Sequence, residues 1–409
     1  MIALRVSPRV LALHAGAAIT WALLLVFCSR NLYDDPSSSF YDPLSEATLR
    51  ATRARQAEVN QYLNKVALGV DVDDAESRQH RPQQDLSRWP KRLCLGVVSD
   101  PSRRDHGEDS LMRTLASLKS GLTLDDRESM HVAVLLASES PANHFAFGQR
   151  WLPKLADEVL VYRGRGEQSD IPAAIYREVD YEVNRGSPPR SRTPTEGLRL
   201  DHSVLLEACR ATQASYVALV EPDFVATGDW YARLVEALAV ANKLERDTGD
   251  DWGYIKLFYH LDARYVWRND DWVVYTLKWV LGYTFGLVAG VGLYRWGYHR
   301  KGASIKALWQ DSLPLLSLAL WIPLFARLFF VAGGVDALRH HFQPYVGGVR
   351  EMVQGSCCGH GVLLHPRHAG EFQQAFKTPP FDSSAATLLD KLAGETGLTK
   401  WGMDPSIVL

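Results

Sequence analysis

Three stretches of the chain are apolar on every side rather than on one face: Val10 to Cys28, Trp272 to Tyr294 and Ser312 to Val331. Each is close to the ~20 residues that a helix rising ~1.5 Å per residue needs to cross a ~30 Å hydrocarbon core, so each predicts a membrane span. Between the first and second the pattern changes twice. From Leu44 to Leu68 it is polar with a weak apolar face (Leu63, Val66, Leu68), which predicts a helical stem, and residues 71–85 are charged and predict a loop. From Lys91 onward, short buried runs alternate with amphipathic ones. Leu93 to Val98, Val132 to Leu136 and Glu158 to Tyr162 predict strands, with a helix over Leu111 to Leu118. The Gly/Pro/Arg-rich stretch 164–194 predicts a loop. Next come a helix over Leu198 to Thr212, with Leu198, His202, Leu205 and Cys209 at helical spacing, a strand over Tyr216 to Val220 and a helix over Trp230 to Asn242. Gly361 to Leu364 predicts one more strand after the spans. This rhythm predicts an α/β domain with a mainly parallel sheet covered on both faces, whose ligands bind beyond the carboxyl ends of its strands.

Charge sets the orientation. Arg5 and Arg9 precede the first span, and Arg295, Arg300, Lys301 and Lys306, with His299, make the linker between the later two basic. Short basic segments stay in the cytosol. The run after the first span offers no Ala-x-Ala cleavage site, so a retained anchor is expected. The chain then reads as a cytosolic tail (1–9), an anchor (10–29), a lumenal stem (30–90), the first part of a catalytic domain (91–271), a span (272–294), a cytosolic loop (295–311), a span (312–333) and the second part of the domain (334–409). Lys278 and Arg327 fall inside the later spans and would suit helices of a soluble core instead. Lys278 lies near one end, however, and can reach the interface. Trp272, Trp279, Trp296 and Trp321 read as interfacial aromatics, and Gly282, Gly286, Gly290 and Gly292 as small faces for helix contact.

Composition changes the picture only at the margins. A net charge of -2 over 409 residues gives no electrostatic ground for a nucleic-acid partner. Outside the anchor, Cys94, Cys209, Cys357 and Cys358 form an even set with three possible pairings, which an oxidising lumen permits. No C-x-x-C pair is present, so zinc is not expected, and no Asn-x-Ser/Thr sequon marks the side of the membrane.

The chemistry concentrates where strand Tyr216 to Val220 ends in Glu221-Pro222-Asp223. On extended backbone, side chains two residues apart point the same way, so Glu221 and Asp223 are expected to face one site. Paired carboxylates there suit a hard divalent cation, Mn or Mg, completed by a substrate diphosphate. Ser99, Asp100 and Arg103, beyond the first strand, are candidate contacts to a nucleotide and its phosphates. A βαβ start, then a short acidic motif of the D-x-D type at the end of a central strand, on a lumenal domain behind an anchor, is the order of nucleotide-sugar transferases with the GT-A fold. The alternative is a lumenal adaptor or cargo-binding membrane protein with a degenerate fold of that kind, for which Pro222 within the acidic motif speaks.

Residues 198–224 (LRLDHSVLLEACRATQASYVALVEPDF), the hairpin of spans after them and Cys357 to Arg367 (CCGHGVLLHPR) together resemble the fungal form of the Golgi GPI-anchor side-chain N-acetylgalactosaminyltransferase family, post-GPI-attachment-to-proteins factor four. The resemblance covers nearly the whole chain. It implies a multi-pass Golgi enzyme with a lumenal GT-A-like domain split by the hairpin. That enzyme would transfer N-acetylgalactosamine from a UDP sugar to the first mannose of a GPI glycolipid or GPI-anchored protein, inverting the anomeric carbon. The family motif is typically Glu-Asp-Asp, whereas Pro222 stands in the middle here, which would leave the metal to Asp223 with Glu221 turned to ribose or a metal-bound water. Residues 402–409 (GMDPSIVL) are similar to the segment that in many relatives runs on to a histidine and glycine, a contact outside this sequence. Inversion needs a single general base. Asp382, expected at a helix start, is the first choice, with Glu351 and Glu371 as rivals. His360 and His365 flank the Gly361 to Leu364 strand and read as structural.

Overall fold

The computed structural model describes residues 8–32, 38–40, 46–69, 92–102, 108–163, 175–180, 193–258, 271–299, 321–330, 332–334, 348–352 and 361–404. Arg103, Cys357, Cys358, His360, the loop 71–85 and most of the basic linker with the start of the third apolar stretch lie outside them. In chain order, the first elements are α1 (Pro8–Asn31) and α2 (Glu46–Ala67). Next come β1 (Leu93–Ser99), α3 (Glu108–Lys119), β2 (Met130–Leu136), β3 (Glu158–Arg163) and β4 (Tyr176–Asp180). The middle holds α4 (Pro194–Ala211), β5 (Tyr216–Val220), α5 (Trp230–Thr248) and β6 (Trp252–Lys256). The apolar helices α6 (Asp271–His299) and α7 (Trp321–Phe330) follow. The chain closes with β7 (Gly348–Glu351), β8 (Gly361–Leu364), α8 (Ala369–Lys377), α9 (Ala385–Thr396) and β9 (Thr399–Asp404).

The chain divides into two units, residues 1–51 with 268–345 and residues 52–267 with 346–409. In the first, α6 is, among the described residues, a helix long and apolar enough to cross a membrane, and none of its 276–293 stretch is buried. Tyr283 and Phe285 are 73% and 76% exposed. At 29 residues α6 is ~43 Å long, more than a hydrocarbon core requires. Exposure on this scale marks a surface made for something other than water. Gly282, Gly286, Gly290 and Gly292, expected to seat a neighbouring helix, have nothing among the described residues within 4 Å of where a Cβ would be. Helix α1 stands where the anchor is expected. Trp321, read from sequence as an interfacial aromatic, donates from Nε1 to His14 Nδ1 at 2.7 Å, tying α7 to α1.

Among its described residues, the second unit contains a nine-stranded sheet in the order β4-β3-β2-β1-β5-β8-β6-β9-β7. Strands β4 through β5 are all parallel. Beyond β5 the expected parallel arrangement gives way: β8 runs antiparallel between β5 and β6, β9 is parallel to β6, and β7 is antiparallel to β9. Thus β1, β5, β6 and β9 all end at one edge. The stretch 164–194, expected to be a loop, contains β4, an edge strand whose polar, half-exposed residues (YREVD) lack the apolar signal of a buried strand.

Both faces of the sheet are covered, and alternate residues of β1 serve opposite cores. Leu93, Leu95 and Val97 face α2, α3 and α5, while Cys94 and Val98 face α4, α8 and α9. Gly96 marks the closest approach of α4: a Cβ there would meet Leu205 Cβ and Leu219 Cδ2, both at 3.2 Å. Cys94 and Cys209 form a disulfide buried at this contact, one of the pairings left open by the sequence. The expected stem is no free spacer. Val59, Tyr62 and Val66 of α2 recur at helical spacing and join the core, while Leu68 is exposed. Buried Arg55 donates from Nε to Ala226 O (2.8 Å) and from Nη2 to Ser117 O (2.9 Å).

Candidate functional site

The order β4-β3-β2-β1 on one side and β5 on the other makes β1/β5 the point where the chain reverses its direction of travel across the sheet. Open α/β sheets bind ligands outside the carboxyl ends of their strands at such points. Ser99 and Glu221 end β1 and follow β5, so the structure brings these two sequence candidates to the crevice.

Next to it, on the face covered by α4, is a cleft of about 230 Å³. Its floor is the sheet: Leu219 and Glu221 from β5, Val362 from β8, Tyr254 and Lys256 from β6. Leu219, Val362 and Lys256 lie in register across the three strands. Its sides are the first turns of α4 (Pro194, Thr195) and α9 (Ser384, Ala385, Ala386), together with His202 and Phe376. Both turns are well made. Thr193 accepts from Glu196 N–H ahead of Pro194, and Ser384 accepts from Thr387 N–H.

Glu221 and Asp223 do not share this cleft. Glu221 is 8% exposed and lines it, whereas Asp223 is exposed and outside the lining. The alternation argument fails because the strand stops at Val220 and the backbone bends at Pro222 and Asp223. Helix α3 enforces the bend. Ser110, Thr114 and Ser117 lie on one of its faces. Ser110 Oγ donates to Pro222 O, Thr114 Oγ1 donates to Phe224 O at 2.8 Å, and Ser117 Oγ accepts from Ala226 N–H at 2.9 Å. The segment after Glu221 is therefore drawn towards α3, while the Glu221 side chain stays on the α4 face.

Asp382 lies two residues before Ser384, which takes the cap position expected of the aspartate. Its loop is pinned by Arg199 of α4, a fully buried guanidinium that donates to Pro380 O (2.8 Å), Ala375 O (2.8 Å) and Thr378 O (2.9 Å) and lies 4.8 Å from the Phe381 ring centre. Asp382 is exposed beside the α9 wall of the cleft and acts electrostatically on Arg199. Glu351 ends β7 and pairs with Trp401 of β9, level with Ile255 of β6, so strand alternation places it with Val349 on the α5 face of the sheet rather than on the α4 face that carries the cleft. Glu371, on α8, lies 3.4 Å from His368 Nδ1. His365, directly after β8, is buried beside the start of β6, 3.5 Å from Glu245 and edge-on to Trp252. Asp100 accepts from Ser102 N–H (2.9 Å) and Oγ (2.7 Å), closing a turn after β1.

Two groups in this region carry altered acidity. Burial lowers His144 to about 4. Its Nε2 donates to Ser99 O at 3.0 Å and its Nδ1 accepts from Ala146 N–H at 3.1 Å, so the neutral ring satisfies both neighbours and braces the end of β1. Burial also lowers Lys256, to about 8, against the pull of Asp390. Lys256 and its neighbours Tyr254 and Asp390 were missed by sequence reasoning, because β6 (WGYIK) lacks an obvious strand pattern and a lone lysine carries no signal.

Among the described residues, no group of three or more His, Cys, Asp or Glu side chains converges to hold a metal ion. The carboxylate pair expected to hold a divalent cation is thus split, with Glu221 in the cleft and Asp223 exposed outside it. No protein-family model matches the chain, and no curated protein matches it in sequence.

Proposed function

We propose that the chain is a membrane-bound glycosyltransferase using a UDP-sugar donor. In line with the resemblance of residues 198–224 and 357–367, it moves N-acetylgalactosamine to the first mannose of a GPI glycan with inversion. The observation that carries the reading is the cleft at the carboxyl edge of the sheet, beside the β1/β5 switch point, with Glu221 in its floor. A disulfide buried in the second unit favours an oxidising lumen for it, and the uncovered α6 favours a membrane for the first.

In the reaction, the bond from the anomeric carbon to the diphosphate oxygen breaks and the electron pair leaves with UDP. The acceptor hydroxyl oxygen bonds to that carbon from the opposite face, and its proton passes to a carboxylate. Asp382, exposed beside the α9 wall on the loop that Arg199 holds, is the proposed acceptor of that proton, and Glu351, on the other face of the sheet, is not. Glu221, half enclosed by the α4 and α9 walls, orients the sugar or ribose hydroxyls. A divalent cation bound at Asp223 would offset the charge of the departing diphosphate.

Detergent-purified protein should bind and slowly hydrolyse one UDP sugar in a Mn-dependent manner, and Asp223→Ala should lower that turnover by tenfold or more. Absence of binding to every UDP sugar by well-folded protein would leave a lumenal adaptor as the reading.

A further inference from the structure

Lys256 closes β6 and is only 3% exposed, yet it lines the cleft. Around it, Asp390 of α9 takes Lys400 Nζ of β9 at 2.8 Å and the Tyr254 hydroxyl at 3.2 Å on the same oxygen, and acts electrostatically on Lys256 as well. Two ammonium groups thus bear on the Asp390 carboxylate, which lies behind the cleft lining. Glu221 and His202 are the other titratable groups lining the cavity. Burying an ammonium is costly, and the site adds further positive character, because the amino ends of α4 and α9 open on the same space. At about 230 Å³ the cavity is smaller than the ~300–1,000 Å³ of a pocket for a whole ligand, so it holds one end of a larger molecule.

We infer that Lys256 is an anion-binding residue of the cleft and that the group it takes is a phosphate ester, either the diphosphate of the donor or a phosphate carried by the acceptor. The inference rests on the transferase reading only for the choice between these sources. A lysine held near 8 is charged at neutral pH but loses its proton well before an ordinary lysine, so the anion should be released on mild alkalinisation.

The test titrates the full-length detergent-purified protein with UDP, uridine, inorganic pyrophosphate and mannose 6-phosphate at pH 7 and pH 9. Wild-type affinity for a phosphate-bearing probe is expected to fall several-fold between the two pH values. Lys256→Met should weaken that probe by tenfold or more at pH 7, remove its pH dependence and leave uridine unaffected, while Lys256→Arg should retain binding. Loss of UDP and pyrophosphate assigns the donor diphosphate, and loss of mannose 6-phosphate alone assigns an acceptor phosphate. Equal binding of all probes by wild type and Lys256→Met overturns the inference and leaves a UDP-binding transferase standing. Pyrophosphate binding that depends on Lys256, with no binding of uridine and UDP bound no tighter than pyrophosphate, keeps the anion site and sinks the transferase. Asp390→Asn is the second variant should Lys256→Met not fold. Removing that carboxylate lowers Lys256 further, so the pH midpoint of binding should move down, and an unmoved midpoint overturns the inference.

Discussion

His144 shows how much a single residue contributes at this site. Both of its nitrogens are already matched to a carbonyl and an N–H, so a second proton would have to sit facing the Ala146 N–H inside the core. The folded state therefore resists protonation while the unfolded chain accepts it from about pH 6.5 downward. Stability from this group is complete above that value and is lost as pH falls towards about 4. Between pH 7 and pH 5 the loss should reach ~2 kcal/mol, read from denaturant melts at the two pH values. His144→Gln should be less stable at pH 7 but lack this component of the pH dependence; an unchanged slope would show that other groups dominate. At the same scale, the acidic motif was legible as chemistry but not as geometry. The sequence marks Glu221 and Asp223 as neighbours on a strand, whereas hydroxyls of α3, more than 100 positions upstream, turn the backbone between them. Ser110, Thr114 and Ser117 are visible in the sequence as polar positions on an amphipathic helix, but their partners are not.

Among the elements, α4 ties the site together. It forms one wall of the cleft with its first turn, pins the Asp382 loop through Arg199, and is joined to β1 by Cys94–Cys209 near its other end. That bridge closes a loop with a sequence separation of 115 and lies in a core that tolerates no gap beside Gly96. Closing a loop of ~100 residues constrains the unfolded chain by up to ~4.7 kcal/mol in the entropic account, and losing a native disulfide typically costs ~2–5 kcal/mol. Cys94→Ala with Cys209→Ala should lower stability by that amount in urea melts; a loss well under ~1 kcal/mol would mean that the bridge does not form in the mature protein. Helices α2, α4 and α5 and strands β1, β2, β3, β5 and β8 were legible within a few residues, because each carries an apolar run or helical spacing. Strands β4, β6, β7 and β9 were not. They are short, polar or mixed, and only their places in the sheet order make them strands.

On the scale of the whole molecule, a helical unit with uncovered apolar surface interrupts the sequence of the α/β unit between β6 and β7. Under the proposed transferase function a lipid-linked acceptor would stay near the bilayer, and spans in this insertion would hold the active site against it. Replacing residues 272–333 by a short soluble linker should then spare hydrolysis of the free UDP sugar and lower transfer to a lipid-linked mannoside by tenfold or more, measured in vesicles; equal loss of both activities would make the insertion a folding element instead.

The sequence by itself determined the apolar segments, their basic flanks, the start of the α/β rhythm and the strand end that carries acidic residues, because each follows from local spacing and composition. The tertiary structure alone decided the nine-strand order with its antiparallel half, the pairing of Cys94 with Cys209, the separation of Glu221 from Asp223 and the placing of Lys256 beside Glu221 in one cleft. These depend on contacts between residues tens to hundreds of positions apart, for which neighbouring side chains along the chain carry no record.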